Sequence, residues 1–142
     1  MTGLVVDSGV VIKWFLPEPY STEARRVLDD YRTGTVHFLA PDLIHAELGN
    51  VLWKKLLFQG LAAADARAVL SDLRKLAFRI TPTSVLLDEA FILAITLRRS
   101  VYDMLYLALS LRERCPLVTA DDKLYNAIHP AFPNIVSLAN WP

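Results

Sequence analysis

The sequence is short of several features that would define whole classes of protein. Cys115 is the only cysteine in 142 residues, so an internal disulfide and a cysteine-rich zinc site are both excluded. Fifteen basic residues balance fifteen acidic ones, so the chain has no bulk positive field to attract nucleic acid. Any contact with nucleic acid must therefore come from a local patch of surface.

Long apolar runs are also missing. No window offers the ~18 uncharged apolar residues of a membrane helix, and the N-terminus reaches Asp7 before a signal sequence can form. We therefore expect a soluble, cytoplasmic protein. Hydrophobic residues still make up 54% of the chain, which is enough for one substantial core. Because no linker, repeat or low-complexity segment interrupts the sequence, we expect a single domain over residues 1–142.

Short apolar strands alternate with helices along the chain. We predict strands at 4–6, 36–39, 78–81, 117–119 and 135–137, with a turn at 7–9 after the first strand. The predicted helices cover 21–31, 41–58, 64–77, 84–97, 100–114 and 122–128. This alternation indicates an α/β fold with a mostly parallel sheet flanked by helices on both faces.

Four acidic residues are predicted to meet at one edge of that sheet. Asp7 and Asp121 directly follow strands, and parallel sheets bind ligands beyond the carboxyl ends of their strands. Glu47 and Asp103 lie near the starts of helices, from which their side chains can reach the same edge. Converging carboxylates repel one another unless a cation compensates them, and oxygen ligands alone suit Mg²⁺ or Mn²⁺ better than zinc. Such a site favours phosphodiester hydrolysis.

Each of the four acids also has a purely structural interpretation. Asp7 and Asp121 are residue types that are common in turns. Asp103 is placed to stabilise the dipole of its helix, and Glu47 can be a solvated helix residue. Position along the chain does not by itself separate these roles from metal binding.

Smaller polar groups lie beside the acids in sequence. The hydroxyls of Ser8 and Thr119 are candidates for orienting a ligand or a water molecule in a second layer around the metal. Asp122 either assists or replaces the strand-end acid that precedes it. Lys13 and Lys123 closely follow acidic motifs, and they are the first candidates for contact with the phosphates of RNA.

Four segments together resemble the PIN-domain family, specifically the VapC toxins of bacterial and archaeal toxin-antitoxin pairs. The segments are VVDSGVVIKWFL at 5–16, PDLIHAE at 41–47, VYDMLYLAL at 101–109 and LVTAD at 117–121. Each segment contains one of the four acids, and their order spans nearly the whole chain. The resemblance implies a PIN-like fold of three layers, α/β/α.

The resemblance also implies an activity and partners. It implies a Mg²⁺- or Mn²⁺-dependent endoribonuclease in which Asp7, Glu47, Asp103 and Asp121 hold the metal and are catalytic. Single-stranded or structured RNA such as tRNA or rRNA would be cut to leave a 3′-hydroxyl and a 5′-phosphate. A homodimer is implied, and so is a cognate VapB-type antitoxin that inserts a C-terminal segment into the acidic groove. Trp53 and Leu57 share a helix face and are candidates for an interface.

Two other functions stay open on the residues alone. The first is an aspartyl-phosphate protein, such as a receiver domain or a dehalogenase-type phosphatase, since these also place acids at strand ends. Against it, Asp7, Ser8 and Gly9 lack the second acid of a DxD motif. The second is a PIN-fold binding module that uses its acidic groove to dock a basic peptide without catalysis. Metal-dependent cleavage of RNA distinguishes the nuclease from both.

Overall fold

The structure is a computed structural model that describes residues 2–142. Within that range the strands are β1 (Thr2–Val6), β2 (Val36–Pro41), β3 (Phe78–Thr81), β4 (Leu117–Thr119) and β5 (Ile135–Ser137). The helices are α1 (Ser8–Ile12), α2 (Ser21–Arg32), α3 (Leu43–Phe58), α4 (Ala63–Leu73), α5 (Thr83–Leu97), α6 (Val101–Glu113) and α7 (Asp122–Ile128), and a 3₁₀ turn follows at Leu138–Asn140. None of the described helices is long and apolar enough to cross a bilayer.

The strands form one parallel sheet in the order β3-β2-β1-β4-β5. The chain moves outward from β1 through β2 to β3, and then crosses to β4 and β5 on the other side of β1. The strand order therefore reverses between β1 and β4, where Val5 pairs with Leu117 and Val6 with Val118. In open parallel sheets such a reversal leaves a ligand-binding crevice at the carboxyl ends of the strands.

Both faces of the sheet are covered, which confirms the predicted three-layer α/β/α fold. In β1 the residues Leu4, Val5 and Val6 are all buried rather than alternating with exposed residues, as expected for a strand between two helical layers. Helix α6 is buried continuously from Met104 to Ser110. A helix with no exposed face is part of the core. Helix α6 contacts α5 as well as β1, β2 and β4 of the sheet.

Two predicted boundaries near the site are wrong. The predicted turn at 7–9 is the start of α1, because the Asp7 side chain accepts a hydrogen bond from the Val10 N–H at 2.9 Å and caps the helix. Pro41 ends β2 instead of opening α3. Proline is tolerated there because the pairing of β2 with β1 stops at Leu39.

Three aromatic rings stack on Phe38 of β2. The Phe38 ring lies 5.0 Å from Trp14, 4.6 Å from Tyr31 and 5.5 Å from Phe78, measured between centroids. The buried Trp14 indole donates a hydrogen bond to the Ala24 carbonyl at 2.8 Å. These contacts join the segment after α1 to α2, β2 and β3, so Trp14 belongs to the core.

Candidate active site

A cavity of about 280 Å³ opens at the carboxyl ends of β1 and β4. The four acids predicted from the sequence all line it: Asp7, Glu47, Asp103 and Asp121. The remaining lining residues are small, apolar or hydroxylated, namely Ser8, Gly9, Tyr106, Leu117, Ala120 and Leu124. Among the described residues that line the cavity there is no lysine, arginine or histidine. The cavity therefore concentrates negative charge where the strand order reverses.

Thr119 connects the two acids at the strand ends. Its buried hydroxyl donates a hydrogen bond to Asp7 Oδ2 at 2.5 Å and accepts one from the Asp121 N–H at 3.1 Å. Asp7 Oδ1 is the N-cap acceptor of α1, and Asp121 Oδ1 caps α7 by accepting the Leu124 N–H at 3.1 Å. One oxygen of each aspartate thus caps a helix. The capping hydrogen bond holds the Asp7 carboxylate at the start of α1 and the Asp121 carboxylate at the start of α7.

Glu47 reaches the cavity from α3, the helix that follows β2. Its Oε1 accepts a hydrogen bond from the Tyr106 hydroxyl of α6 at 2.5 Å. Tyr106 is only 4% exposed, whereas Glu47 is half-buried. The contact joins residues that are 59 positions apart in sequence, and it brings two helices together at the cavity wall.

Asp103 lies in the first turn of α6. The hydroxyl of Ser100, the N-cap residue, accepts a hydrogen bond from the Asp103 N–H at 3.1 Å. The neighbouring Arg99 donates to the Lys123 carbonyl at 3.2 Å, which ties the α5–α6 connection to α7. Asp103 is therefore positioned by a capped helix end whose connection to α5 is also held in place.

Burial and mutual repulsion raise the pKa values of three of the acids. Burial raises the pKa of Asp7 to about 6, although hydrogen bonds from Thr119 and Val10 act against the shift. Burial also raises the pKa of Glu47, with a smaller contribution from the charge of Asp103. The pKa of Asp103 is raised by burial and then by the charge of Asp121. Carboxylates that are expensive to ionise together need positive charge from elsewhere.

The donor set fits a hard divalent cation in its chemistry. The acids supply only oxygen ligands, and the surrounding residues of the cavity supply no cation. Within residues 2–142, however, no three side chains among His, Cys, Asp and Glu are close enough together to hold a metal ion without rearrangement. The cavity therefore collects oxygen ligands of the kind that Mg²⁺ prefers, at separations wider than those of a formed metal site.

Four of the predicted site residues do not line the cavity. One of them, Thr119, still contacts Asp7 and Asp121, and the other three lie farther away. Lys13 is buried at 8% exposure, and its Nζ lies 3.0 Å from Glu18 Oε1. Asp122 lies in the first turn of α7, where it accepts a hydrogen bond from the Tyr20 hydroxyl at 3.2 Å. Lys123 is exposed on the same turn. The structure thus places Ser8 and Thr119 at the acids and these three residues farther out.

Tyr106 was not predicted to be a site residue. Tyr106 follows Asp103 by three positions, so the two side chains share a helix face, and this spacing is a signal that the sequence does contain. Arg99 lowers the pKa of Asp103 through its charge, against the larger effect of burial. Its place beside the cavity depends on the loop between α5 and α6, which spacing along the chain does not reveal.

Comparison with known proteins gives consistent matches over the length of the chain. The family model for the PIN domain matches residues 4–129. The chain is 31% identical over 123 residues to "Ribonuclease VapC3" of Pyrobaculum aerophilum, which covers 85% of this chain and 91% of that protein.

Solved structures match the fold. A toxin-antitoxin complex from Klebsiella pneumoniae aligns with a TM-score of 0.66 at 17% identity, over 95% of this chain and 97% of that one. VapBC2 from Rickettsia felis, bound to a DNA fragment from its promoter, aligns with a TM-score of 0.65 at 13% identity, over 96% and 97%. At these identities the two matches show that the fold is shared, and they show nothing further about this chain.

Proposed function

Because this chain belongs to the PIN domain family, we propose that it is a Mg²⁺- or Mn²⁺-dependent endoribonuclease, the toxin of a toxin-antitoxin pair. The observation that carries the proposal is the convergence of four carboxylates on one cavity at the carboxyl ends of β1 and β4. The match to a ribonuclease at 31% identity supports the choice of RNA as substrate.

The four acids, Asp7, Glu47, Asp103 and Asp121, are the proposed metal ligands. A divalent cation bound among them would lower the pKa of a water molecule and offset the negative charge that develops on the phosphate. Burial and mutual repulsion have already raised the pKa of three of these carboxyls. Binding a cation therefore relieves an electrostatic cost that is built into the fold.

The residues around the acids keep them in place. The Thr119 hydroxyl contacts one carboxylate oxygen of Asp7 and the backbone N–H of Asp121. Loss of this hydroxyl should therefore affect the positions of both acids. Ser8 lines the same cavity, and its hydroxyl lowers the pKa of Glu47 against the larger effect of burial. We assign Ser8 and Thr119 to orienting the acids rather than to binding the metal.

We expect RNA phosphates to approach along the exposed side of α7. Lys123 is exposed there, one residue beyond Asp122 and joined through its carbonyl to Arg99. Lys13 is left out of the proposed contacts because its ammonium is buried against Glu18. With a net formal charge of zero, the chain must hold RNA through such local contacts.

The proposed inhibitor is a VapB-type antitoxin with a basic segment. A cavity lined by four acids and no basic side chain is complementary to lysine or arginine. The structural matches to a toxin-antitoxin complex and to VapBC2 support this class of partner. The protein is also proposed to form a homodimer, with Trp53 and Leu57 of α3 in the interface, because both side chains are more than half exposed.

Sequencing both ends of RNA cut by the purified protein tests the proposed chemistry. We expect discrete cuts that carry a 5′-phosphate and a 3′-hydroxyl. Products with a 2′,3′-cyclic phosphate would contradict the proposal, since they arise when the ribose hydroxyl attacks instead of water. Stable phosphorylation of Asp7 by a small phosphodonor would instead favour an aspartyl-phosphate protein.

A further inference from the structure

The contact between Tyr106 and Glu47 is short and crosses the fold. The phenol hydroxyl donates to Glu47 Oε1 at 2.5 Å, which is in the range of charge-assisted O–H···O⁻ hydrogen bonds. Only Oε1 takes part in this contact, so the Tyr106 hydroxyl does not occupy Oε2. Both residues line that cavity together with Asp103.

The position of the Tyr106 hydroxyl is set by the core. Tyr106 lies in the fully buried part of α6, between Leu105 and Leu107, and the residue is 4% exposed. It follows Asp103 by one helical turn, so α6 presents a carboxylate and a hydroxyl on the same face. A donor that is fixed in this way can hold a half-buried glutamate side chain in one position.

A simpler explanation is that Glu47 merely satisfies a buried hydroxyl. A backbone carbonyl or a neutral side chain would do so at lower cost, because a carboxylate that leaves water loses much more solvation than a neutral acceptor. Glu47 already bears this cost, and it also lies near the charge of Asp103. This cost favours the interpretation that the contact positions the Glu47 carboxylate, and not that Glu47 only satisfies the Tyr106 hydroxyl.

We propose that Tyr106 is a positioning residue that holds Glu47 by Oε1 and so presents Oε2 to a divalent cation in the acidic cavity. The inference rests on the proposed function, which supplies the cation. Hydrogen-bond partners behind metal ligands typically contribute ~10–100-fold in metal affinity or activity. Tyr106 acts through Glu47 and does not itself contact the cation.

Manganese binding to the purified full chain tests this proposal without any assay of activity. Mn²⁺ is titrated into wild type and Tyr106→Phe, and free Mn²⁺ is followed by electron paramagnetic resonance. We expect the variant to bind Mn²⁺ about 10-fold more weakly. Tyr31→Phe is the matched control, because the Tyr31 hydroxyl accepts a hydrogen bond from the Ala77 N–H away from the cavity. It should bind like wild type.

A double-mutant cycle with Glu47→Gln separates positioning from a general structural role. If Tyr106 acts through Glu47, adding Tyr106→Phe to Glu47→Gln weakens Mn²⁺ binding no further. Losses that simply add would overturn the proposal. Should Tyr106→Phe fail to fold, Glu47→Gln alone tests the premise of the proposal, because Glu47 must bind the cation for Tyr106 to position it. Wild-type Mn²⁺ affinity in Glu47→Gln would overturn the proposal.

The two proposals fail in different ways. If wild type cleaves RNA but Tyr106→Phe binds Mn²⁺ with unchanged affinity, the positioning role is wrong and the nuclease stands. If the cycle shows coupling but no RNA is cut, the positioning role stands and the ribonuclease assignment is wrong.

Discussion

Thr119 is the residue on which the geometry of both strand-end acids depends. We expect Thr119→Val, which preserves shape but removes the hydroxyl, to lower the free energy of unfolding by about 1–3 kcal/mol, because it leaves buried polar groups without a partner. Activity should fall about 10–100-fold, since Asp7 and Asp121 both lose a fixed contact. Urea unfolding and initial rates of RNA cleavage measure the two effects.

Thr119→Ser is the matched control for that experiment. It keeps the hydroxyl and loses only a methyl group, so cleavage should stay within a few-fold of wild type. If the valine variant cleaves RNA as fast as the serine variant does, the hydroxyl has no part in positioning the acids.

The buried charge of Asp7 is expected to lower the stability of the metal-free fold, because it lies near Glu47 and Asp103. Asp7→Asn removes one negative charge from the acidic cavity and keeps an oxygen that can accept the Val10 N–H. We expect the free energy of unfolding without metal to rise by about 0.5–1 kcal/mol, while RNA cleavage falls by more than ~100-fold. Urea unfolding in EDTA measures the first effect, and a loss of stability there would mean that repulsion among the acids is unimportant.

At the scale of elements, Glu18 ties the end of α1 to α3. Its two carboxylate oxygens lie 3.0 Å from Lys13 Nζ and 2.7 Å from Lys55 Nζ. Burial opposes ionisation of Glu18, but hydrogen bonds and charge from Lys55 and Lys13 outweigh it and lower its pKa. Asp7 caps α1 and Glu47 lies in α3. These ion pairs therefore connect the two helices that position both acids.

The lowered pKa of Glu18 predicts a pH dependence of stability. A carboxyl with a lower pKa in the folded state stabilises the fold above its ordinary pKa, and the contribution is lost as pH falls through the folded value. Wild type should therefore exceed Glu18→Gln in free energy of unfolding at pH 7, and the gap should close as the pH falls below the ordinary pKa of a glutamate and through the lowered value in the folded state. Urea unfolding across this range measures the gap; a gap that persists at low pH would contradict the assigned charge.

The elements were largely predictable because each carries a local signal. Strands β3, β4 and β5 and helix α7 begin and end where apolar runs, Pro82 and Asp121 indicate. Helix α1 was not predicted, since it is short and depends on the Asp7 cap. The burial of Lys13 against Glu18 was not predictable, because the position of Glu18 depends on the fold of the loop between α1 and α2.

The convergence of the acids was predictable for a related reason. Parallel strands end at a common edge, so Asp7 and Asp121 had to lie together once β1 and β4 were neighbours. The contact of Tyr106 with Glu47 was not predictable in the same way. It depends on how α3 and α6 pack across 59 positions of sequence.

In the whole molecule, large apolar side chains are exposed on both α3 and α5. Trp53 and Leu57 on α3 are 53% and 51% exposed, and Phe91 and Ile95 on α5 are 55% and 64% exposed. We expect the α3 surface to form the proposed homodimer, because tryptophan is a frequent anchor in interfaces.

Sedimentation equilibrium of two matched variants tests that assignment. Trp53→Glu should weaken self-association by at least ~10-fold, since it places a charge at an apolar anchor. Ile95→Glu, an equivalent change on α5, should leave self-association unchanged. The reverse result would move the interface to α5, and a monomeric wild type would rule out the homodimer.

The most direct test of the account is the rate of RNA cleavage by wild type and Asp103→Asn, each measured with Mn²⁺ and with EDTA. Asp103 is suited to this test because its N-cap, Ser100, is independent of its carboxylate, so the variant should remain folded. We predict cleavage by wild type with Mn²⁺ and none in the other three reactions. Full cleavage by wild type in EDTA, or by folded Asp103→Asn with Mn²⁺, would contradict the claim that these carboxylates form a metal-dependent active site.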